Sequence, residues 1–166
     1  LPFNHDFNGV SQRGVGFYQF MNRHGKRSSA AYAFIAPLEG NPNLKVELHS
    51  RVRRIEIENG VATGVTYRDA SGQDHTVHAD REVIVAAGSL VTPQLLMLSG
   101  IGSADHLRSH GIRCIADLPG VGENLIDHPE VPITAIANGP YGYYKQGVGW
   151  RMLANGLQFK VFGSGP

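Results

Sequence analysis

Acidic, amide and imidazole side chains crowd one short stretch of the chain. Glu123, Asn124, Asp127, His128 and Glu130 all fall within the run ENLIDHPE. A group this dense in titratable side chains is either a solvated loop or the rim of a binding site. A carboxylate such as that of Glu130 is a strong partner for a cation when it is partly screened from water. The residues alone leave both interpretations open.

A second candidate site lies upstream, where an apolar run, a glycine and a helix signal follow one another. The run Glu82–Ala87 is rich in β-branched and small apolar residues, which predicts a strand that is covered on both faces in a parallel sheet. Gly88 lets the backbone turn. Pro93 is expected at the first position of a helix that reaches about Ser99. This order of strand, glycine turn and helix suggests a nucleotide site.

The elements that must position these residues are mainly short strands. Asn59-Gly60 joins two strand-like runs and is a strong signal for a two-residue hairpin turn. An antiparallel meander is therefore predicted, with strands at Leu44–Leu48, Val52–Glu58, Val61–Arg68 and His75–Ala79. Helices are expected at Ser28–Ile35, Ser103–His110 and Trp150–Phe162, and a further strand at Val131–Ala137.

Charge and composition exclude some classes of function. The formal net charge of +1 gives no electrostatic reason to expect nucleic acid as a partner. Transmembrane segments are not expected, because apolar stretches fall short of the ~20 residues that span a bilayer. A soluble protein is therefore expected, in an unknown compartment with the cytoplasm favoured. His106 and His110 share one helix face and could bind a metal, but polar surface is favoured and no metal is expected.

Several stretches of the chain together resemble one enzyme family. GSLVTPQLLMLSGIG (88–102) closely resembles the second signature of the glucose-methanol-choline (GMC) flavin oxidoreductases. LPGVGENLIDHPE (118–130) is similar to the family's segment between its flavin and substrate domains. GKRSSAAYAFIAP and NPNLKVELHSRVRRIEIENGVATGVTY resemble upstream pieces of the family in the same order. The resemblance covers almost the whole chain.

The resemblance implies a mixed α/β and α+β fold. Residues 38–125 are expected to form part of a Rossmann-like FAD-binding domain with an inserted antiparallel β-meander. Residues 1–37 would supply a loop and a helix that pack on that domain. Residues 126–166 would begin the substrate-binding domain.

The resemblance also implies which residues contact FAD. Val52 matches the family's valine that meets the adenine through its backbone N–H and C=O groups. Ala86, Ala87 and Gly88 match a small-residue run that passes close to the nucleotide. Asn124 lies in the segment that runs beside the flavin. Without the family, an ordinary core valine and tight packing of strand on helix would explain the first four residues.

Substrate contacts are implied at two further positions. His128 and Glu130 lie in and just after the Asp-His-Pro motif, where choline-oxidising members carry a glutamate that attracts a quaternary ammonium group. Many members with this motif oxidise neutral alcohols, so the substrate stays open between a choline-like cation and a neutral alcohol such as an aryl alcohol. A small alcohol is expected in either case, with oxygen or a quinone as electron acceptor.

Two parts of the family's machinery are expected outside this chain. The G-x-G-x-x-G turn that binds the FAD pyrophosphate is absent from the sequence, and the family's catalytic histidine lies near its C-terminus. The chain is therefore expected to be an internal fragment that is inactive alone and contains no catalytic residue. Two alternatives are a hydroxynitrile lyase of the same fold and a non-catalytic binding module.

Overall fold

The computed structural model describes residues 1–133, 136, 138–139 and 142–165. The chain divides into two compact units, one made of Leu1–Lys45 with Pro132–Pro166 and the other of Val46–Val131. The division at 37 and 125 that the family resemblance implies remains a prediction.

The first unit begins with a small hairpin and two irregular helical turns. Strands β1 (Asn22–Arg23) and β2 (Lys26–Arg27) pair antiparallel. The expected helix Ser28–Ile35 is only partly formed, as a π-helical turn at Ala31–Ile35 followed by a 3₁₀ turn at Ala36–Leu38. Pro37 lies inside the second turn instead of ending the helix. Its missing N–H cannot donate to a carbonyl one turn earlier, which disfavours a regular α-helix here.

The second unit contains the predicted antiparallel meander. Strands β3 (Arg51–Glu58), β4 (Val61–Arg68) and β5 (Asp74–His78) pair in that order. Asn59 and Gly60 connect the first two with φ angles of 52° and 81°, as a two-residue hairpin turn of the predicted kind requires. The strand predicted at Leu44–Leu48 is wrong, because these residues do not form a strand in the structure.

Helix α1 (Gly88–Leu98) follows the meander but differs from expectation at its start. Pro93 lies inside the helix and not at its first position. The preceding run Glu82–Ala87 is not a strand, which corrects the prediction of a buried parallel strand. A strand exists only beside a neighbour that accepts its hydrogen bonds, and within the described ranges this run has no such neighbour. Ile84 is correspondingly 79% exposed.

A small parallel pair completes the second unit. Strand β6 (Ile101–Gly102) leads into α2 (Ala104–Ser109), and β7 (Ala116–Asp117) then pairs with β6. The carboxylate of Asp117 accepts a hydrogen bond from the Ala104 N–H at 2.9 Å and so caps α2. Among the described residues, the fully or nearly buried apolar side chains are Ile55, Leu95 and Leu107.

The last element is α3 (Gly149–Phe162), which confirms the predicted helix and belongs to the first unit. Gly163 ends it in a left-handed conformation with φ of 63°. Its apolar residues Leu153 and Leu157 are 71% and 64% exposed. The strand expected at Val131–Ala137 includes positions 134, 135 and 137, which lie outside the described residues. Across the described ranges, no helix is long and apolar enough to cross a membrane.

Candidate functional site

A cleft of about 1240 Å³ separates β3 from the run that precedes α1. This volume exceeds the roughly 300–1,000 Å³ of ordinary small-molecule pockets. Val52, Ala86 and Ala87 all line the cleft, and Gly88 follows directly in the chain. The structure therefore brings three of the predicted cofactor contacts to one cavity, although Val52 and Ala86 are separated by more than thirty positions in the sequence.

The first wall of the cleft is the outer strand of the meander. Val52 pairs with Tyr67 and Arg54 with Thr66, so Arg53 is an extra residue that forms a β-bulge. A bulge bends a strand and changes the direction of the groups beside it. Val52 is 41% exposed, and the outer edge of β3 pairs with no strand in the part of the chain that the structure describes. Apart from the N–H of Ile55, which donates to the Ser99 hydroxyl, backbone groups of this edge could therefore meet a ligand.

The second wall is the run 83–87 and the face of α1 that carries Val91, Gln94, Leu95 and Leu98. Gly88 has φ of +87°, and a Cβ atom at this position would meet nothing within 4 Å. Its requirement for glycine is therefore conformational and not one of space. The helix N-terminus has no side-chain cap, and the first N–H groups of a helix have no intrahelical acceptor. Such uncapped donors suit an anionic or strongly polar ligand.

A buried hydroxyl joins the two walls. Ser99, only 6% exposed, donates a hydrogen bond to the Leu95 carbonyl at 2.7 Å and accepts one from the Ile55 N–H at 2.8 Å. Sequence reasoning missed this residue, because a serine at the end of an apolar helix resembles a stop signal. The available clue was a lone hydroxyl placed between a leucine-rich segment and two glycines.

Polar side chains line the side of the cleft formed by the meander. Glu56 accepts hydrogen bonds from Arg54 Nε at 2.7 Å and from the Thr66 hydroxyl, and Thr66 contacts the Thr76 hydroxyl at 3.1 Å. The hydrogen bond from Arg54 is the main cause that holds the pKa of Glu56 below its ordinary value, and the hydrogen bond from Thr66 is the second. Asp74 similarly accepts two hydrogen bonds from Arg68, which lowers its pKa. These ordered groups give the cleft a fixed polar rim.

The predicted flavin contact Asn124 and the predicted substrate contacts His128 and Glu130 lie elsewhere in the second unit. Asn124, His128 and Glu130 are exposed, and none of them lines the cleft. Asn124 has φ of 56°, and the His128 N–H donates to Asp127 Oδ1 at 2.7 Å. The structure therefore does not bring the polar cluster of residues 123–130 to this cleft. Its proposed role remains untested by the geometry.

His106 on α2 and His110, which directly follows the helix, lie side by side. The rings of His106 and His110 meet edge to face, with centroids 4.8 Å apart. In the described part of the chain, no group of three or more His, Cys, Asp or Glu residues could hold a metal ion.

Comparison with known proteins gives consistent matches. The family model described as GMC oxidoreductase matches residues 1–130. The chain is 42% identical to an alcohol dehydrogenase [acceptor] of Pseudomonas putida over 139 residues, 83% of this chain and 25% of that protein. It is 40% identical to the mitochondrial choline dehydrogenase of Mus musculus over 158 residues, 95% of this chain and 26% of that protein.

A solved structure shows the same relationship. The formate oxidase of Aspergillus oryzae RIB40, studied for the modification of its FAD, is 34% identical with a TM-score of 0.74. The match covers 87% of this chain and 25% of that one. The chain thus spans about a quarter of the length of the relatives it matches. The family model alone covers far more than half of these residues, and the chain belongs to the GMC oxidoreductases, a family of FAD-binding flavoproteins.

Proposed function

We propose that the full-length gene product containing this chain is an FAD-dependent oxidoreductase that converts a small alcohol to an aldehyde or ketone. The observation that carries the proposal is the family match over residues 1–130. Relatives named as alcohol and choline dehydrogenases support the same reaction class. Because the chain spans only a quarter of their length, the activity is proposed for the whole protein and not for these residues alone.

The cleft beside β3 is proposed to hold the adenosine part of FAD. A free strand edge at Val52 offers backbone donors and acceptors, which suit an adenine ring that presents both kinds of group. Ala86, Ala87 and Gly88 supply the opposite wall with small side chains, so the backbone could pass close to the nucleotide. The uncapped start of α1 offers further N–H donors. These residues fit the group on both sides of the cleft.

The fold of the whole protein is proposed to complete what this chain leaves open. Residues 82–87 would pair with parallel strands supplied by other parts of the protein and join a Rossmann-like sheet. Their continuous apolar character supports this, because a strand covered on both faces has that composition. Residues 126–166 would begin the substrate-binding domain.

The exposed segment 123–130 is proposed to border the flavin and the substrate. Asn124 would lie beside the flavin, and His128 and Glu130 at the substrate cavity. When bound, FAD supplies a flavin ring that accepts a hydride from the carbon bearing the hydroxyl group. The residues of this chain would hold the adenosine end, keep the segment beside the ring and, through Glu130, attract a cationic alcohol if that is the substrate. The final electron acceptor is proposed to be oxygen or a quinone.

Anaerobic reduction of the flavin tests this proposal. The purified full-length product is expected to show the absorbance of an oxidised flavin, which bleaches when choline or a simple aryl alcohol is added without oxygen. Matched samples with the corresponding aldehyde or with buffer alone should keep their colour. A flavin that stays oxidised with every alcohol would refute the oxidoreductase proposal and favour the lyase alternative. A product that retains no FAD would refute the cofactor.

A further inference from the structure

The hydroxyl of Ser99 connects the two walls of the cleft at a point that is closed to water. It accepts from the Ile55 N–H on β3 and donates to the Leu95 carbonyl of α1. Ile55 and Leu95 are themselves buried, at 6% and 9% exposure. In such surroundings a backbone N–H that loses its acceptor finds no water to replace it.

The direction of this bond matters for the strand. Because β3 lies at the edge of the order β3-β4-β5, an N–H that leaves the ladder points away from β4. A neighbouring strand would normally satisfy such a group. Here the side chain of Ser99 does so, three residues along the strand from Val52. The bond therefore fixes how closely the edge of β3 approaches α1.

The opposite wall is linked to the same helix. Residues 83–87 run directly into α1, which begins at Gly88. Ser99 follows the last residue of α1, and its N–H also donates to the carbonyls of Leu95 and Leu96 at 3.1 and 3.0 Å. Both walls are thus connected to α1: residues 83–87 through the chain itself, and β3 through the buried hydroxyl of Ser99.

We infer that Ser99 is a positioning residue for FAD, whose hydroxyl sets the spacing of the cleft that receives adenosine. The inference rests on the proposed function. Without the hydroxyl, β3 samples positions in which Val52 no longer faces the small residues at the correct distance. Apparent affinity then falls in proportion to the fraction of molecules that remain competent to bind.

The test compares Ser99→Ala with Leu107→Ala in the full-length apoprotein. Leu107 is 1% exposed and lies on α2 outside the cleft, so its truncation destabilises the fold without touching the proposed site. Dissociation constants for FAD and for ADP are measured by calorimetric titration at a temperature where each variant is folded. Ser99→Ala is expected to weaken both ligands about tenfold, whereas Leu107→Ala lowers the unfolding temperature and leaves both constants unchanged.

A conservative variant keeps the test decisive. Ser99→Thr retains a hydroxyl and is expected to bind both ligands within about threefold of the parent protein. If Ser99→Ala does not fold, Ser99→Cys takes its place, since a thiol is a weak acceptor of nearly the same size, and it too must weaken ADP. Equal affinities in the parent and the Ser99 variants would overturn the inference while leaving the proposed function intact. Failure of the parent protein to bind FAD would instead refute the proposed function, and the inference with it.

Discussion

At the scale of single residues, Glu130 is the position from which a substrate preference can be tested. It is exposed, as is Asp127 three residues earlier. In the proposed function Glu130 lies at the substrate cavity, together with His128, whereas Asp127 has no proposed substrate contact. Glu130→Gln removes the charge but keeps the shape, and it is expected to raise the KM for choline about tenfold, because a carboxylate near an ammonium group contributes on the order of 1 kcal/mol or more. Steady-state kinetics with choline and benzyl alcohol provide the measurement.

The matched control is Asp127→Asn, which removes a neighbouring carboxylate. It should leave the KM values for both alcohols within about twofold, given the small effect of exposed charges. A KM for benzyl alcohol that rises as much as that for choline in Glu130→Gln would contradict a cation contact. If choline is not a substrate of the parent protein, the neutral-alcohol alternative is favoured.

The residues of the candidate site differ in how far the sequence could reveal them. The family resemblance identifies Val52, Ala86 and Ala87, and the structure places them around one cleft. The sequence does not reveal Ser99, because its acceptor role depends on the N–H of Ile55, 44 positions earlier. A side chain that completes a contact between distant elements leaves no periodic signal in the sequence. Asn124, His128 and Glu130 depend on neighbours that the described residues do not supply.

At the scale of elements, the β3–β4 turn offers a clean test of backbone geometry. Gly60 has φ of +81°, and a Cβ atom at this position would lie in open space, with nothing within 4 Å. Gly60→Ala is therefore expected to destabilise the hairpin by about 1–2 kcal/mol through conformation alone. Thermal unfolding of the full-length product should show a lower midpoint.

Gly120→Ala is the control for this change. Gly120 also has open space around it but does not have a left-handed φ. Its replacement should leave the midpoint nearly unchanged or slightly higher, because alanine restricts the unfolded chain. Equal effects at the two positions would show that the turn does not have the backbone geometry described here.

The hydrogen bonds that join Arg54, Glu56, Thr66 and Thr76 form a polar ladder on the meander. They predict that the stability of the protein depends on pH in the acid range. Glu56 has a pKa lowered from 4.5, chiefly by its hydrogen bond from Arg54 and then by that from Thr66. A carboxylate with a lowered folded pKa contributes stability that is full above its ordinary pKa and disappears as the pH falls through the folded value. Glu56→Gln should therefore flatten the loss of stability below about pH 4.5, measured as unfolding midpoints across that range.

Glu58→Gln supplies the comparison for the acid series. Glu58 lies at the exposed end of the same strand. Glu58→Gln should therefore leave the change of the unfolding midpoint with pH close to that of the parent protein. If Glu56→Gln follows the same curve as the parent, the ladder does not stabilise the meander.

The elements also show which features are encoded locally. The meander is predictable because Asn59-Gly60 and alternating apolar residues specify a hairpin within a few positions. The runs Leu44–Leu48 and Glu82–Ala87 have strand composition, yet neither is a strand in the structure, because composition alone does not specify strand pairing. The preference of proline for the first helical position favours a start at Pro93, but Gly88, with its positive φ, begins the helix one and a half turns earlier. Local propensity predicts the type of element better than its boundaries or partners.

At the scale of the whole molecule, the chain buries little apolar surface. Large apolar side chains such as Ile84, Trp150 and Leu153 are more than two thirds exposed. The family's fold therefore depends on contacts beyond those that these residues make among themselves.

The exposure of these apolar side chains predicts the behaviour of the isolated 166-residue chain. Expressed alone, it should unfold without a sharp calorimetric transition and should bind a hydrophobic dye, since it lacks enough buried apolar surface to oppose chain entropy. The full-length product should give a cooperative transition and little dye fluorescence. A sharp heat-absorption peak from the isolated chain would show that it forms an adequate core by itself.

The hairpin tip at Asn59-Gly60 offers a practical attachment point. It is exposed and uncrowded, the kind of position at which insertions are tolerated. Along β3 it lies roughly 20 Å from Val52, at about 3.3 Å per residue. A short epitope or an electrode linker grafted between these strands would anchor the protein to a surface and leave the mouth of the cleft beside β3 unobstructed.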